Sequence, residues 1–159
     1  MPLHLQIPGD KTYTIHQVVF DLNGTLAVGG EISPSVHQLL TQLAPHVQLY
    51  VITADTHQTA PQVQQLLGDA VTVKVISGAH TAQEKESFVE SLGAQETIAI
   101  GNGANDMKML EKAALSVAII GGEGVYGPLL AVADLAVTRM EDALMLLLEP
   151  NRLVATLRR

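Results

Sequence analysis

About five times along this chain a short apolar run is followed by a segment whose apolar residues recur at helical spacing, and that alternation limits the fold more than any other feature. The runs VQLYVIT (47–53), VTVKVIS (71–77), TIAIG (97–101) and LSVAII (115–120) predict strands buried on both faces. Between them, SPSVHQLLTQLA carries a Ser cap, Pro34 at the first helical position and apolar residues at 36, 39, 40 and 43, which predicts a helix. Further helices are expected from ADTHQT through VQQLL to Gly68, from Thr81 to Leu92, and over GANDMKMLEKAA. DLAVT adds a last strand, after a glycine-rich loop GGEGVYGP and a short helix, and EDALMLLL and NRLVATLRR close the chain as helices. Strand followed by helix, repeated, calls for an α/β fold: a three-layer, doubly wound parallel sheet of Rossmann-like type. Near the N-terminus, LHLQI, PGD and TYTIHQVVFDL predict a short edge strand, a tight turn and one longer strand.

With 159 residues the chain is expected to be one domain spanning 1–159. Hydrophobic residues are 47% and aromatics 3%, so the core has to be built from Val, Leu, Ile and Ala. A net charge of −7 argues against nucleic-acid or acidic-membrane partners, which need clustered Lys and Arg. The lack of cysteine, of a leader-like start and of any apolar run near the ~20 residues of a membrane helix makes the cytoplasm the expected location.

In parallel sheets of this kind ligands bind beyond the C-terminal ends of the strands, where the strand order reverses. Several polar residues fall there: Asp21 and Asn23 after VVF, Thr53 and Asp55 after VQLYVI, and Asn102, Asn105 and Asp106 after TIAIG. Lys85 lies near the start of the helix after VTVKVIS, in an EKE run where helical i,i+4 pairing is the plain alternative. Carboxylates, a hydroxyl and a lysine brought together suit phosphoryl transfer with a hard, oxygen-preferring cation. The six histidines have no His-x-x-x-His spacing, so a zinc site is not expected; His57 and Tyr126 are secondary candidates for substrate contact.

At these residues the chain resembles the haloacid dehalogenase superfamily of phosphohydrolases, most closely its soluble members similar to the P domain of P-type ATPases. The resemblance runs nearly the whole length. DLNGTLA resembles the first motif, with Asp21 as nucleophile, and VITADT the second, with Thr53 as phosphate-binding hydroxyl. Lys85 matches the third, and GNGANDMKML resembles the ATPase hinge motif, with Asp106 as the acidic residue of the fourth. The resemblance implies Asp21, Asn23, Thr53 and Lys85 as the catalytic set, and Mg²⁺ held by Asp21, the Asn23 carbonyl, Asn102 and Asp106. It further implies phosphate contacts from Leu22, Thr53, Ala54 and Lys85, with Gly24, Thr25, Gly101, Gly103 and Asn105 in support.

Three departures shape the expected activity. Phosphatases of the superfamily usually carry Asp two residues after the nucleophile, and Asn23 can neither protonate a leaving oxygen nor activate water. Acid–base help of that kind is worth about 10² to 10⁴ in rate, so slow turnover and a preference for good leaving groups are expected. Asn102 stands where a metal-binding Asp is usual, which removes one negative charge but keeps an amide oxygen. Thirdly, the short spacings between motifs leave no room for a cap domain, so an open site is expected, covered by a second copy of the chain or by a large substrate. The rival reading is a catalytically silent protein that uses the same crevice to bind a ligand or partner. An isolated nucleotide-hydrolysing subunit working with a membrane partner is a third, and the lack of an insert after the first motif counts against it.

Overall fold

The computed structural model describes residues 2–56 and 58–159, so the reading of His57 lies outside the described residues. Strands β1 (Leu3–Gln6) and β2 (Thr12–Ile15) form an antiparallel hairpin, and β3 (Gln17–Asp21), β4 (Gln48–Thr53), β5 (Val71–Val75), β6 (Thr97–Gly101), β7 (Leu115–Ile119) and β8 (Leu135–Val137) form a parallel sheet. The helices are α1 (Pro34–Leu43), α2 (Ala60–Leu67), α3 (Thr81–Leu92), α4 (Met107–Lys112), α5 (Leu129–Val132), α6 (Met140–Leu148) and α7 (Pro150–Leu157). Ser33 caps α1 as expected, its hydroxyl accepting the Val36 N–H at 3.2 Å.

The single long strand expected over TYTIHQVVFDL divides at His16. Thr12–Ile15 pairs with β1 and alternates between exposed and buried, whereas every residue of Gln17–Asp21 is buried between β4 and β6. Both edges of β3 are taken, so the first strand cannot join the main sheet and needs its own partner. The division is visible in the sequence as a change from alternation to an unbroken apolar run.

The sheet order is β5-β4-β3-β6-β7-β8. From β3 the chain winds outward to β5, then returns to the other side of β3 and winds outward again. The switch point is therefore between β3 and β6, so Asp21 and Gly101 end neighbouring strands. Side chains alternate across the sheet into two cores. Val18, Phe20, Val51, Ile98, Ile100 and Val117 pack with α1, α6, α7 and the hairpin, while Val19, Ile52, Ala99 and Ala118 pack with α3, α4 and α5. That is the expected three-layer arrangement. Among the described residues no helix is long and apolar enough to cross a membrane.

Candidate active site

Asp21 closes β3 and the chain then turns back tightly: Ala27 N–H donates to Leu22 O at 2.8 Å and Gly24 N–H to Ala27 O at 2.7 Å. Gly24 is required there, because its φ is +83° and a Cβ would collide with the Asn102 amide nitrogen. The turn brings Thr25, almost fully buried, back beneath Asp21. Its hydroxyl donates to Asn102 Oδ1 at 3.0 Å, with Asp21 Oδ2 at 3.3 Å.

Lys85 reaches the same point from α3 and is only 2% exposed. Its three ammonium protons have three acceptors: Asp21 Oδ1 and Asp106 Oδ1, each at 2.8 Å, and Asn105 Oδ1 at 3.1 Å. The helical-pairing alternative for Lys85 is thereby replaced by a buried ion-pair cluster. Asp106, fully buried, turns its other oxygen to the N–H groups of Asn102 (3.1 Å) and Gly103 (3.0 Å). Gly101 makes room for it, since a Cβ would lie 2.6 Å from Asp106 Cγ.

Thr53 ends β4, and its hydroxyl oxygen accepts the Asp55 N–H at 3.0 Å, which leaves the hydroxyl proton to donate elsewhere. Asp55 itself caps α2, taking the N–H groups of Thr59 (2.7 Å) and Ala60 (2.9 Å). A cleft of ≈ 410 Å³ is lined by Asp21, Asn23, Thr53, Ala54, Lys85, Asn102, Gly103 and Asn105, together with Thr56, Thr81 and Ala104. The last three were not singled out from sequence, as small helix-start residues carry no signal of their own. Leu22 keeps its side chain in the core, so only its backbone stands at the site. Tyr126 is 44% exposed and does not line the cleft; only its N–H reaches the site, donating to Asn102 O at 2.7 Å. A larger cavity, ≈ 710 Å³, opens among the N-terminal ends of the strands and contains none of these residues.

The cluster holds two carboxylates against one ammonium. Burial first, and then the charge of Asp106, push the Asp21 carboxyl up to about 7 in spite of Lys85. For Lys85, burial alone would lower the pKa, but Asp106 and Asp21 together outweigh it and the ammonium is raised. One negative charge is thus left over inside the protein. Among the described residues no three His, Cys, Asp or Glu side chains are placed to share a metal. Asp21 and the Asn102 amide line the cleft, Asp106 lies buried behind them, and these oxygen groups with their surplus charge fit a hard divalent cation.

The site is thus a parallel sheet with a buried aspartate at its switch point and a lysine and second carboxylate behind it. A family model for haloacid dehalogenase-like hydrolases matches residues 89–123, the stretch from the end of α3 through Asn102 and Asp106 to the loop after β7. Two uncharacterized proteins of Methanocaldococcus jannaschii are similar in sequence. One is 45% identical over 64 residues, 40% of this chain and 69% of the relative; the other is 39% identical over 41 residues, 26% and 93%. Among solved structures, a hydrolase of the HAD superfamily, subfamily III A, from Legionella pneumophila superposes with a TM-score of 0.70 at 18% identity, over 90% of this chain and 87% of that one. The 3-deoxy-D-manno-octulosonate 8-phosphate phosphatase of Moraxella catarrhalis, in complex with magnesium and phosphate ions and KDO, gives 0.67 at 18% identity, over 91% and 94%. A phospho-aspartyl intermediate analogue of phosphoserine phosphatase gives 0.62 at 14%, over 82% and 97%. The fold is thus that of the haloacid dehalogenase-like hydrolases, and the stretch carrying Asn102 and Asp106 matches their family model.

Proposed function

We propose that this protein is a Mg²⁺-dependent phosphohydrolase that works through an aspartyl-phosphate on Asp21 and is slow on substrates with poor leaving groups. The observation that carries this reading is the buried Asp21–Lys85–Asp106 cluster at the β3/β6 switch point, opening on a cleft that Thr53 also lines. A carboxylate nucleophile needs its charge held in place and its target's charge offset; Lys85 holds Asp21 in place, and a bound cation would supply the offset. The phosphatases among the similar folds are in keeping with it.

In the first step an Asp21 oxygen attacks phosphorus. An O–P bond forms, the bond to the leaving oxygen breaks, and the electron pair departs with that oxygen. Lys85 and the Thr53 hydroxyl receive the phosphate oxygens, with the backbone at Leu22 and Ala54 beside them. In the second step water attacks the same phosphorus, orthophosphate leaves and the Asp21 carboxylate is restored. Asn23 lines the cleft but has no proton to give and no basic oxygen pair to take one. Aryl phosphates, acyl phosphates and nucleoside triphosphates are therefore favoured over alkyl esters, and hydrolysis of the aspartyl-phosphate limits turnover. Asp21, Asp106, Asn102 Oδ1 and the Asn23 carbonyl would hold Mg²⁺, which supplies charge neutralisation at the phosphoryl oxygens. With no cap over the cleft, water is best excluded by a second copy of the chain or by a macromolecular substrate, and the cytoplasm is the setting that fits a cysteine-free chain. The resemblance to the soluble P-type ATPase-like members agrees with the missing acid–base group.

The second reading, a weak or silent binding protein, is favoured by the two amides, Asn23 and Asn102. The test is to incubate wild type and Asp21→Asn with Mg²⁺ and 4-nitrophenyl phosphate or ATP, following product release and acid-stable phosphoprotein. Both signals should depend on Asp21. Equal release from the two proteins with no phosphoprotein would leave only the binding reading.

A further inference from the structure

We infer that Asn102 is a positioning residue that ties the glycine-rich loop 121–127 to the catalytic strand ends, and that this is why an amide stands there. The inference rests on the phosphohydrolase reading only where it speaks of substrate. Asn102 makes three contacts in three directions. Its Oδ1 accepts the buried Thr25 hydroxyl at 3.0 Å, its Nδ2 donates to Gly124 O at 3.1 Å, and its backbone oxygen accepts the Tyr126 N–H at 2.7 Å. One residue thus joins the turn under the nucleophile to both arms of the loop.

A carboxylate of the same shape can keep the contact with Thr25 but cannot keep the one with Gly124. Two carbonyl-type oxygens would then face each other at hydrogen-bond distance, with no proton between them. The loop has its own structure besides: Gly121 and Gly124 form an antiparallel bridge, and the Glu123 carboxylate accepts the Gly29 N–H at 3.1 Å from the turn Val28–Glu31. The tether therefore fixes a small ordered unit rather than a slack segment. Asn102, Gly103 and Ala104 line one wall of the cleft, and the unit stands behind that wall, outside the cleft itself, so it acts on substrate through the placement of Asn102. The amide trades metal affinity for a held wall, and that wall affects how the leaving group is bound rather than the chemical step.

The experiment uses the full chain and two variants, one from each side of the tether. Asn102→Asp keeps shape, removes the side-chain donor and adds a charge; Tyr126→Pro removes the N–H that donates to Asn102 without any change of charge and leaves the side chain of Asn102 intact. Amide hydrogen exchange without metal or substrate should show protection across 121–127 falling about fivefold to tenfold in both, the scale of one net hydrogen bond, with α1 and β3 unchanged. Unchanged protection of the loop in both variants overturns the proposal, whatever the activity. In Tyr126→Pro, KM for 4-nitrophenyl phosphate should rise severalfold relative to that for acetyl phosphate, with kcat within about twofold. An equal change in both substrates, or a loss in kcat alone, assigns the loop a merely structural role and also overturns it. If the loop loosens while wild type shows no Asp21-dependent turnover, the tether stands and the phosphohydrolase reading falls.

Discussion

Replacing Lys85 with Met puts the central electrostatic argument at risk. The lysine is almost completely enclosed and its ammonium donates to both Asp21 Oδ1 and Asp106 Oδ1. Met fills a similar volume, so the change isolates the charge. Removing one member of a buried ion pair costs about 3 to 5 kcal/mol because the partner is left uncompensated. For a chain of this length that lowers Tm by roughly 6 to 20 °C. Here two carboxylates are left, so the cost should be larger at pH 8 than at pH 5, where Asp21, raised to about 7 by burial, takes a proton. Urea unfolding of Lys85→Met and of Lys85→Met/Asp106→Asn gives the comparison. The second change removes one of the two stranded charges and should recover at least ~1 kcal/mol. Mg²⁺ should stabilise the single variant more than wild type, since it meets more unbalanced charge. A loss below ~1 kcal/mol in Lys85→Met, with no recovery in the double variant, would refute the idea of a strained, two-to-one cluster.

The metal-free wild type should itself depend on pH. Asp21 is raised from 3.8 to about 7 in the folded state, so the native form holds a proton that the unfolded chain releases. Its contribution is complete below the unfolded value and is lost as pH rises through about 7; stability should fall from pH 5 to 8 without metal, and saturating Mg²⁺ should flatten the profile, as measured by thermal melts. Asn23→Asp restores a proton-transferring group at the cleft and should speed hydrolysis of alkyl phosphates by about 10²-fold, with phosphoprotein accumulation dropping in quenched-flow samples. Gly101→Ala places a methyl 2.6 Å from the buried Asp106 carboxylate and should cost about 1 to 3 kcal/mol in denaturant midpoint.

Most of the layered fold follows from pattern alone. Unbroken apolar runs need cover on both faces, and amphipathic segments between them supply it, so the sheet and its helices follow from residue types. Helix α3 and strand β6 fall on the residues that periodicity and the flanking glycines indicate. The positions of Asp21, Thr53 and Asn102 are likewise legible, because each directly follows or ends an apolar run and so has to stand at a strand end; Asp106 follows one turn after β6. The hairpin is expected from the sequence, but the division of its second strand at His16 is not. His16 carries no turn signal; the apolar run changes character there, and the break follows because both edges of β3 are occupied by β4 and β6.

What the chain by itself determined is the sheet, the edge on which the chemistry lies and the set of polar groups delivered to it. Strand periodicity and strand ends are local properties, and they are written in every ten residues. What only the tertiary structure decided is how those groups are paired. Lys85 is 64 residues from Asp21, and the EKE run around it reads equally well as a solvated helix face until α3 packs on the sheet and buries it between two carboxylates. Asn102 reads as a weakened metal ligand until Gly124, 22 residues on, places a carbonyl against its amide. Charge balance and hydrogen-bond direction depend on which distant atoms share a low-dielectric space, and that is settled only when the layers close.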